Sequence, residues 1–271
     1  MQKFAKLLNK PQDAQEFSAL AARIKAKFNQ KYFDPKTARY SNNSVTSNLL
    51  PLYFDMVPVG DRKAVFKNIE NKILIDNTGH ISTGVIGTQW LMRGLTDQGR
   101  PDIAWHMATN TDYPSWGYMV RKGATTFWEL WNGDTANPSM NSQNHVMLLG
   151  DLLVWFYEDL AGIRSDAQTT AFKKIIMKPE PVQGLDFVNA SYHSIHGLIK
   201  SNWKKESGNF HWNITIPANT TAIVYIPAKS VEAVTESVQK ASAAKGVKFI
   251  KMENGRALFE IGSGNYVFEA K

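Results

Sequence analysis

Apolar positions in the first 163 residues recur at helical spacing. Between Gln12 and Phe28, the side chains Phe17, Leu20, Ala21, Ile24 and Phe28 fall on one face, and Asp34-Pro35 then breaks the pattern. Val45–Met56 reads as a second helix that Pro51 should kink or begin. Arg62–Ile75 places Val65, Phe66, Ile69 and Ile73 on one stripe and runs into the stop signal Asp76-Asn77-Thr78-Gly79. Thr83–Leu95 and Asp102–Asn110 are two further helices, parted by Asp97-Gln98-Gly99, and a last helix, Asn144–Leu160, ends at Gly162. Between them, residues 111–143 are rich in Gly, Pro, Asn and Ser and read as a long ordered loop. The sum is about six helices joined as hairpins.

After Arg164 the period changes to two. Strands are predicted at Lys173–Met177, Phe187–Ser194, Gly197–Trp203, Asn209–Ile216, Thr221–Ile226, Val247–Met252, Ala257–Ile261 and Tyr266–Glu269. Turn signals such as Ser207-Gly208, Pro217-Ala218-Asn219 and Glu253-Asn254-Gly255 separate them. Short strands at this spacing argue an antiparallel β-sandwich. Two domains are therefore expected, a helical one over 1–163 and a β-sandwich over 164–271.

Composition narrows the class without naming a chemistry. The 271 residues are 43% hydrophobic and 20% charged, as in an ordinary globular protein. The chain has no Cys, which excludes disulfides, thiolate metal sites and a Cys nucleophile. The net charge of +7 is scattered: residues 1–163 hold 17 basic and 15 acidic side chains, and the remainder 14 and 9. A nucleic-acid surface needs a clustered stripe, so no nucleic-acid partner is expected. Apolar runs fall short of the roughly 20 residues a membrane helix requires, so no membrane association is expected either. The opening MQKFAKLLNK shows no secretory leader, which leaves cytoplasm and periplasm both open.

The chemistry-bearing residues crowd into the loop and its borders. Six of the eight tryptophans, at positions 90, 105, 116, 128, 131 and 155, lie in the helical half, and three of those sit in the loop. An indole in a Gly/Pro-rich loop offers a flat apolar face to a pyranose ring, with its N–H still free to bond. The stretch Gly123-Ala-Thr-Thr-Phe-Trp-Glu-Leu-Trp-Asn-Gly-Asp134 sets one carboxylate, Glu129, between Trp128 and Trp131. Such a partly desolvated carboxyl suits proton transfer, although a surface Glu on a helix with inward tryptophans fits the same letters. Asp112, Asp134 and His145 are the other ionisable candidates, and an isolated His is more often structural than catalytic. His80, His106 and His145 lack metal-ligand spacing, and His193-x-x-His196 has no third partner, so neither metal nor cofactor is expected. Thr83-Gly-Val-Ile-Gly-Thr88 lacks the Lys and the preceding strand of a phosphate loop, so Gly84 and Gly87 serve helix packing or approach to a ligand. No Gly-x-Ser-x-Gly elbow occurs.

Several of these segments together resemble the bacterial α-L-rhamnosidases. They are His80-Ile-Ser-Thr-Gly-Val-Ile-Gly-Thr88, Tyr113-Pro-Ser-Trp-Gly-Tyr-Met119, Gly123 through Trp131, and Asn144-His145 through Trp155 to Ala161-Gly-Ile163. In the β half, Asn213-Ile-Thr-Ile-Pro217 and Thr220-Thr-Ala-Ile-Val-Tyr-Ile-Pro227 are similar to that family's C-terminal domain. The resemblance implies an (α/α)6 toroid of six helical hairpins, of which this chain supplies a part, followed by the sandwich. It implies inverting hydrolysis that releases L-rhamnose from rhamnose-containing glycosides. Glu129 is then the general base that activates water. His145 contacts the rhamnose, and Trp116, Trp131 and Trp128 line the sugar pocket.

One departure stands out. Inversion needs two carboxyls about 6.5–9.5 Å apart, one protonated and one ionised. The family's general acid lies in an Asp/Arg/Glu-rich motif of the first half of the toroid, and residues 1–75 contain no such motif. The expectation is a chain that needs an upstream half of the same enzyme or self-associates through an uncovered apolar edge. The competing reading is a carbohydrate-binding fragment that keeps the aromatic pocket without the acid; a lyase on a similar toroid has no Tyr or Lys base motif to support it.

Overall fold

The computed structural model describes residues 1–148 and 151–271. Two compact units make up the chain: Met1–Gly99 with His106–Leu148, and Arg100–Trp105 with Leu149–Lys271.

The first unit is helical. Its elements are α1 (Gln2–Leu7), α2 (Pro11–Tyr32), the small hairpin β1 (Phe33–Asp34) and β2 (Arg39–Tyr40), α3 (Val45–Tyr53), α4 (Arg62–Asn71) and α5 (Val85–Asp97). After α6 (Pro101–Thr109) the long loop follows, and α8 (Val146–Trp155) closes the helical part of the chain. The loop differs from expectation, for it contains a two-turn helix, α7 (Trp116–Arg121), and a single 3-10 turn at Pro138–Met140. Pro51 lies inside α3 and not at its start, because Ser44 begins that helix by accepting the Ser47 N–H at 3.1 Å. The predicted helices over 62–75 and 144–160 each end in a π-helical turn, Lys72–Asp76 and Phe156–Leu160.

Leu49, Leu52, Val65, Ile69, Leu91 and Leu95 are buried where α3 meets α4 and α5. Small residues let α5 approach α3: a Cβ on Gly94 would stand 2.7 Å from Leu49 Cδ1, and one on Gly87 2.2 Å from Thr46 Oγ1. Gly87 is thus a packing residue, while Gly84 faces open space. The apolar stripe of α2 behaves otherwise. Leu20 is 40% and Ile24 54% exposed, and only Ala14 of this helix is buried. The helix is held by α1, by β1 and by Lys25 and Asn29 donating to the carbonyls of Asp55 and Met56, none of which covers that stripe. Among the described residues no helix is long and apolar enough to cross a membrane.

The second unit is built from two sheets. One has the order β10-β9-β13-β7-β6-β5, with β5 Phe187–Ser194, β6 Gly197–Glu206, β7 Asn209–Ile216, β9 Val234–Glu236, β10 Gln239–Lys240 and β13 Gly264–Ala270. The other runs β11-β12-β8-β4-β3, with β3 Ile163–Ser165, β4 Lys174–Met177, β8 Thr221–Pro227, β11 Val247–Glu253 and β12 Arg256–Ile261. The eight predicted strands are present. β3, β9 and β10 have two or three residues each, too few to show an alternation. Pairing is antiparallel except between β4 and β8, which run parallel. The chain leaves β4, passes through β5, β6 and β7 in the opposite sheet, and returns in the same direction. Alternate residues of both sheets fill one core, where Trp203, Phe210 and Trp212 meet Ile175, Met177 and Val224. Phe259 and Phe268 stack from opposite sheets with ring centroids 6.3 Å apart.

The sheet also grips the end of the helical segment that precedes it. Trp203 Nε1 donates to the carbonyl of Leu160 at 2.8 Å, and Ser201 Oγ donates to that of Ala161 at 2.6 Å. Ser201 Oγ in turn accepts from Trp212 Nε1 at 2.9 Å, and its side chain is wholly buried. Gly162 makes the turn that follows with φ +74°; a Cβ there would lie 2.2 Å from Pro179 N. Ser201→Ala strands one buried donor and one buried acceptor, each worth about 1–3 kcal/mol when left unpaired. Urea unfolding should therefore show a loss of about 2–6 kcal/mol. A loss below about 0.5 kcal/mol would mean that the three-residue junction contributes little.

Candidate active site

The loop between α6 and α8 takes its shape from backbone bonds between its two arms. The Glu129 N–H donates to the Ser142 carbonyl at 2.8 Å, and the His145 N–H donates to the Phe127 carbonyl at 2.7 Å. Side chains extend the same seam: Thr126 Oγ1 donates to the Gln143 carbonyl, and the Leu130 N–H donates to Asn141 Oδ1 at 3.1 Å. This short ladder sets Glu129 and His145 on adjoining arms although they are distant in sequence. Both are half-buried. One oxygen of Glu129, Oε2, accepts the N–H of Ser142 at 3.1 Å. That bond orients the carboxylate and leaves its other oxygen available.

Trp131 ties the loop to the start of α5. Its Nε1 donates to the carbonyl of Thr83 at 2.9 Å, and Thr83 Oγ1 is itself bonded to Thr88 Oγ1 at 2.8 Å. Gly84, whose open side was noted above, is the next residue. Trp116 meets Trp131 edge-on, with centroids 5.3 Å apart and planes at 86°. Ser115 caps α7 by accepting the Tyr118 N–H at 2.9 Å, which fixes where Trp116 leaves the chain. Trp116 and Trp128 are both buried, 4% and 6% exposed, while Trp131 is half-buried; Trp128 clusters with Met119 and Leu148 beneath the loop. Gly133 lies so close that a Cβ there would sit 2.6 Å from the Trp128 ring. Trp128 underpins the segment that carries Glu129.

Two nitrogens in this region are buried and have no partner among the described residues. They are Nε2 of His145 and Nε1 of Trp116. An unpaired buried polar atom is costly, and such atoms are rare enough in folded proteins to call for a reason.

The other two loop carboxylates are engaged. Asp112 pairs with Arg121 at 3.1 Å. Asp134 accepts from Tyr118 Oη at 3.0 Å and faces Lys122 Nζ at 3.3 Å. Desolvation pushes the Asp134 carboxyl up, but the bonds from Tyr118 and Lys122 outweigh it and hold the group below its ordinary value. Desolvation and the same Asp134 bond push the Tyr118 phenol up. Sequence reading passed over this clasp, and over Thr83 and Ser142 as anchors, because each forms only when distant segments meet. His80 Nδ1 bonds within its own turn, near Thr78 and the Asn77 carbonyl. Among the described residues no group of three His, Cys, Asp or Glu side chains could hold a metal ion.

Two outcomes follow from this packing. Gly133→Ala should displace the Trp128 ring, raising the exposure of the loop tryptophans and red-shifting their fluorescence, while the fold of the β unit persists. Acid should open the Tyr118–Asp134–Lys122 clasp. A carboxyl held low contributes stability that is present above its unfolded value, ordinarily 3.8. That stability is lost as pH falls through the lowered folded value. Resonances of Tyr118 should accordingly move only as pH falls below 3.8, and Asp134→Asn should abolish the transition.

Comparison with known proteins places the chain in a family. Residues 1–160 match the family model of the bacterial α-L-rhamnosidase six-hairpin glycosidase domain, and residues 162–241 that of the bacterial α-L-rhamnosidase C-terminal domain. An α-L-rhamnosidase of Streptomyces avermitilis is 32% identical over 261 residues, which is 94% of this chain and 24% of that protein. One from Formosa agariphila is 29% identical over 274 residues, 99% of this chain and 29% of its own length. Among solved structures, the Streptomyces avermitilis α-L-rhamnosidase complexed with L-rhamnose superposes with a TM-score of 0.90 at 31% identity, over 100% of this chain and 25% of that one. The α-L-rhamnosidase from Dictyoglumus thermophilum gives a TM-score of 0.89 at 34% identity, with 100% and 30% covered. The chain thus spans about a quarter to three tenths of the length of these relatives. Its helical segment is part of a six-hairpin glycosidase domain, its β segment is the C-terminal domain that accompanies it, and the chain belongs to the bacterial α-L-rhamnosidase family.

Proposed function

We propose that this chain supplies the water-activating half of an inverting α-L-rhamnosidase site. Glu129 acts as general base. Its carboxylate is steadied through one oxygen by the Ser142 N–H, which leaves the other to take a proton from water. Trp131, with the buried Trp116 edge-on against it, offers an apolar wall for the C–H face of a rhamnose ring, and His145 bonds one of its hydroxyls. Trp128 acts from below by holding the Trp-Glu-Leu-Trp segment in place. The observation that carries the reading is the pair of buried, partnerless nitrogens on His145 and Trp116, two donors or acceptors that the fold itself does not satisfy. The relative solved in complex with L-rhamnose supports the choice of sugar.

The proton-donating carboxyl lies, in this reading, outside residues 1–271. Asp112 is engaged with Arg121, and Asp134 with Tyr118 and Lys122, in the loop's own contacts. The uncovered Leu20–Ile24 stripe of α2 is the surface against which the rest of the helical domain would pack, and the greater length of the relatives supports that role. A domain boundary at 163/164 goes with this reading, since there the helical period gives way to strands.

The test uses an aryl α-L-rhamnoside, with the chain complemented by the portion of its relatives that it does not span. Glu129→Gln keeps the side chain's size and removes its basicity, so turnover should fall by about 10²–10⁴-fold while rhamnose binding persists. His145→Ala should weaken rhamnose binding instead. Turnover within a few-fold of wild type in Glu129→Gln would refute the assignment and favour a binding role without chemistry.

A further inference from the structure

The outward face of the six-stranded sheet carries a feature that the rhamnosidase reading does not use. Asn189 on β5 lies opposite Asn202 on β6, and Asn202 lies opposite Asn213 on β7. The three amides therefore form one row across three neighbouring strands, about 10 Å long at the usual strand spacing. Asparagine is disfavoured in strands, and two of these positions are on interior strands of the sheet. A run of locally unfavourable residues in one register points to a use.

The row borders a depression of about 340 Å³. Its neighbours in the next row are Phe187, Lys204 and His211. Phe187 is 62% exposed and offers a flat apolar face at the sheet edge. On one side of the row Lys204 pairs with Glu206 at 2.5 Å and His211 contacts Glu269 at 3.1 Å, and on the other side Lys200, opposite Ser191 and Thr215, is exposed. Asn202 Oδ1 accepts the Ala190 N–H at 3.2 Å, which turns its NH₂ group outward. The side chains of Asn189 and Asn213 have no partner among the described residues.

We propose that this face is a saccharide-binding groove that holds a neutral oligosaccharide across β5, β6 and β7. Each amide presents both donors and an acceptor, and each sugar hydroxyl both donates and accepts, so a row of amides matches a polyhydroxylated chain. Phe187 stacks on one ring at the edge of the sheet, as exposed aromatics do with partly apolar ligands. An anionic ligand would centre on Lys200 and not on the amides, a difference that the phosphate control reads directly. The site lies in the β unit and is separate from Glu129 and His145.

The experiment is an amide-resolved NMR titration of the whole chain with rhamnotetraose and with cellotetraose, and inorganic phosphate as the control. Signals of Asn189, Asn202 and Asn213 should shift with at least one oligosaccharide and not with phosphate. The double substitution Asn189→Thr/Asn213→Thr removes two amides while improving strand propensity; it should weaken binding by about tenfold or more without lowering the melting temperature. Phe187→Ala, at an exposed edge position, should weaken it independently, and His145→Ala should leave it unchanged. Absence of shifts on this face with both sugars, shifts with phosphate alone, or equal affinity of the double variant and Phe187→Ala with wild type would each overturn the proposal.

Discussion

The short ladder between residues 126–130 and 141–145 is the constraint on which the candidate site depends. A loop of this length has few regular elements to hold it, and ordering it costs conformational entropy at every residue. The bonds from Glu129 to Ser142 and from His145 to Phe127 close it at the base, next to the start of α8. Trp131 then fastens it to α5 through the Thr83 carbonyl, and Trp128 fills the space beneath. Each anchor is made by a residue adjacent to a functional candidate or by the candidate itself. The Trp-Glu-Leu-Trp spacing makes sense in this light: one indole goes down into the core, the other sideways to α5, and the carboxylate between them is left at the surface of the seam.

Electrostatics divides the loop carboxylates into two kinds. Asp134 is held as an anion by a phenol and an ammonium and serves structure. Glu129 has a single backbone N–H on one oxygen, which orients the group without neutralising it. One carboxylate is thus closed off by partners and the other is bonded through one oxygen only. The buried nitrogens of His145 and Trp116 complete a region in which polar atoms outnumber the partners the fold provides. The β sheet next to the helical segment, by contrast, pairs its buried polar side chains. In the β unit Ser201, Trp203 and Trp212 account for one another and for the carbonyls of Leu160 and Ala161.

The two sheets illustrate how much alternation alone conveys. The inner positions of β6 and β7, such as Trp203, Phe210, Trp212 and Ile214, could be assigned to a core from their period of two, because each strand buries every second residue. The same alternation puts Asn202 and Asn213 outside. It cannot say that Asn189, Asn202 and Asn213 stand in one row, since that depends on the register between strands. Nor does it predict the parallel pairing of β4 with β8, which arises from the path of the chain through the opposite sheet.

From the sequence alone one could read a helical half followed by a sandwich, the loop as the seat of chemistry, and Glu129, His145, Trp116, Trp131 and Trp128 as its candidates. These follow from local periodicity and from motifs short enough to be visible in one dimension. Boundaries were less legible. The helix α7 was hidden by the Gly, Pro and Ser around it, because Ser115 acts as its cap only once the chain turns there. The stripe on α2 was legible as apolar, but not as uncovered, since coverage depends on which elements pack against it. Tertiary structure alone decided that Trp128 packs with Met119 and Leu148 beneath the loop, that Gly87 is packing while Gly84 faces open space, and that Asp134 belongs to Tyr118 and Lys122. The physical reason is common to all of these. Periodicity records which side of an element a residue occupies, whereas partnership depends on distances between segments far apart in the chain.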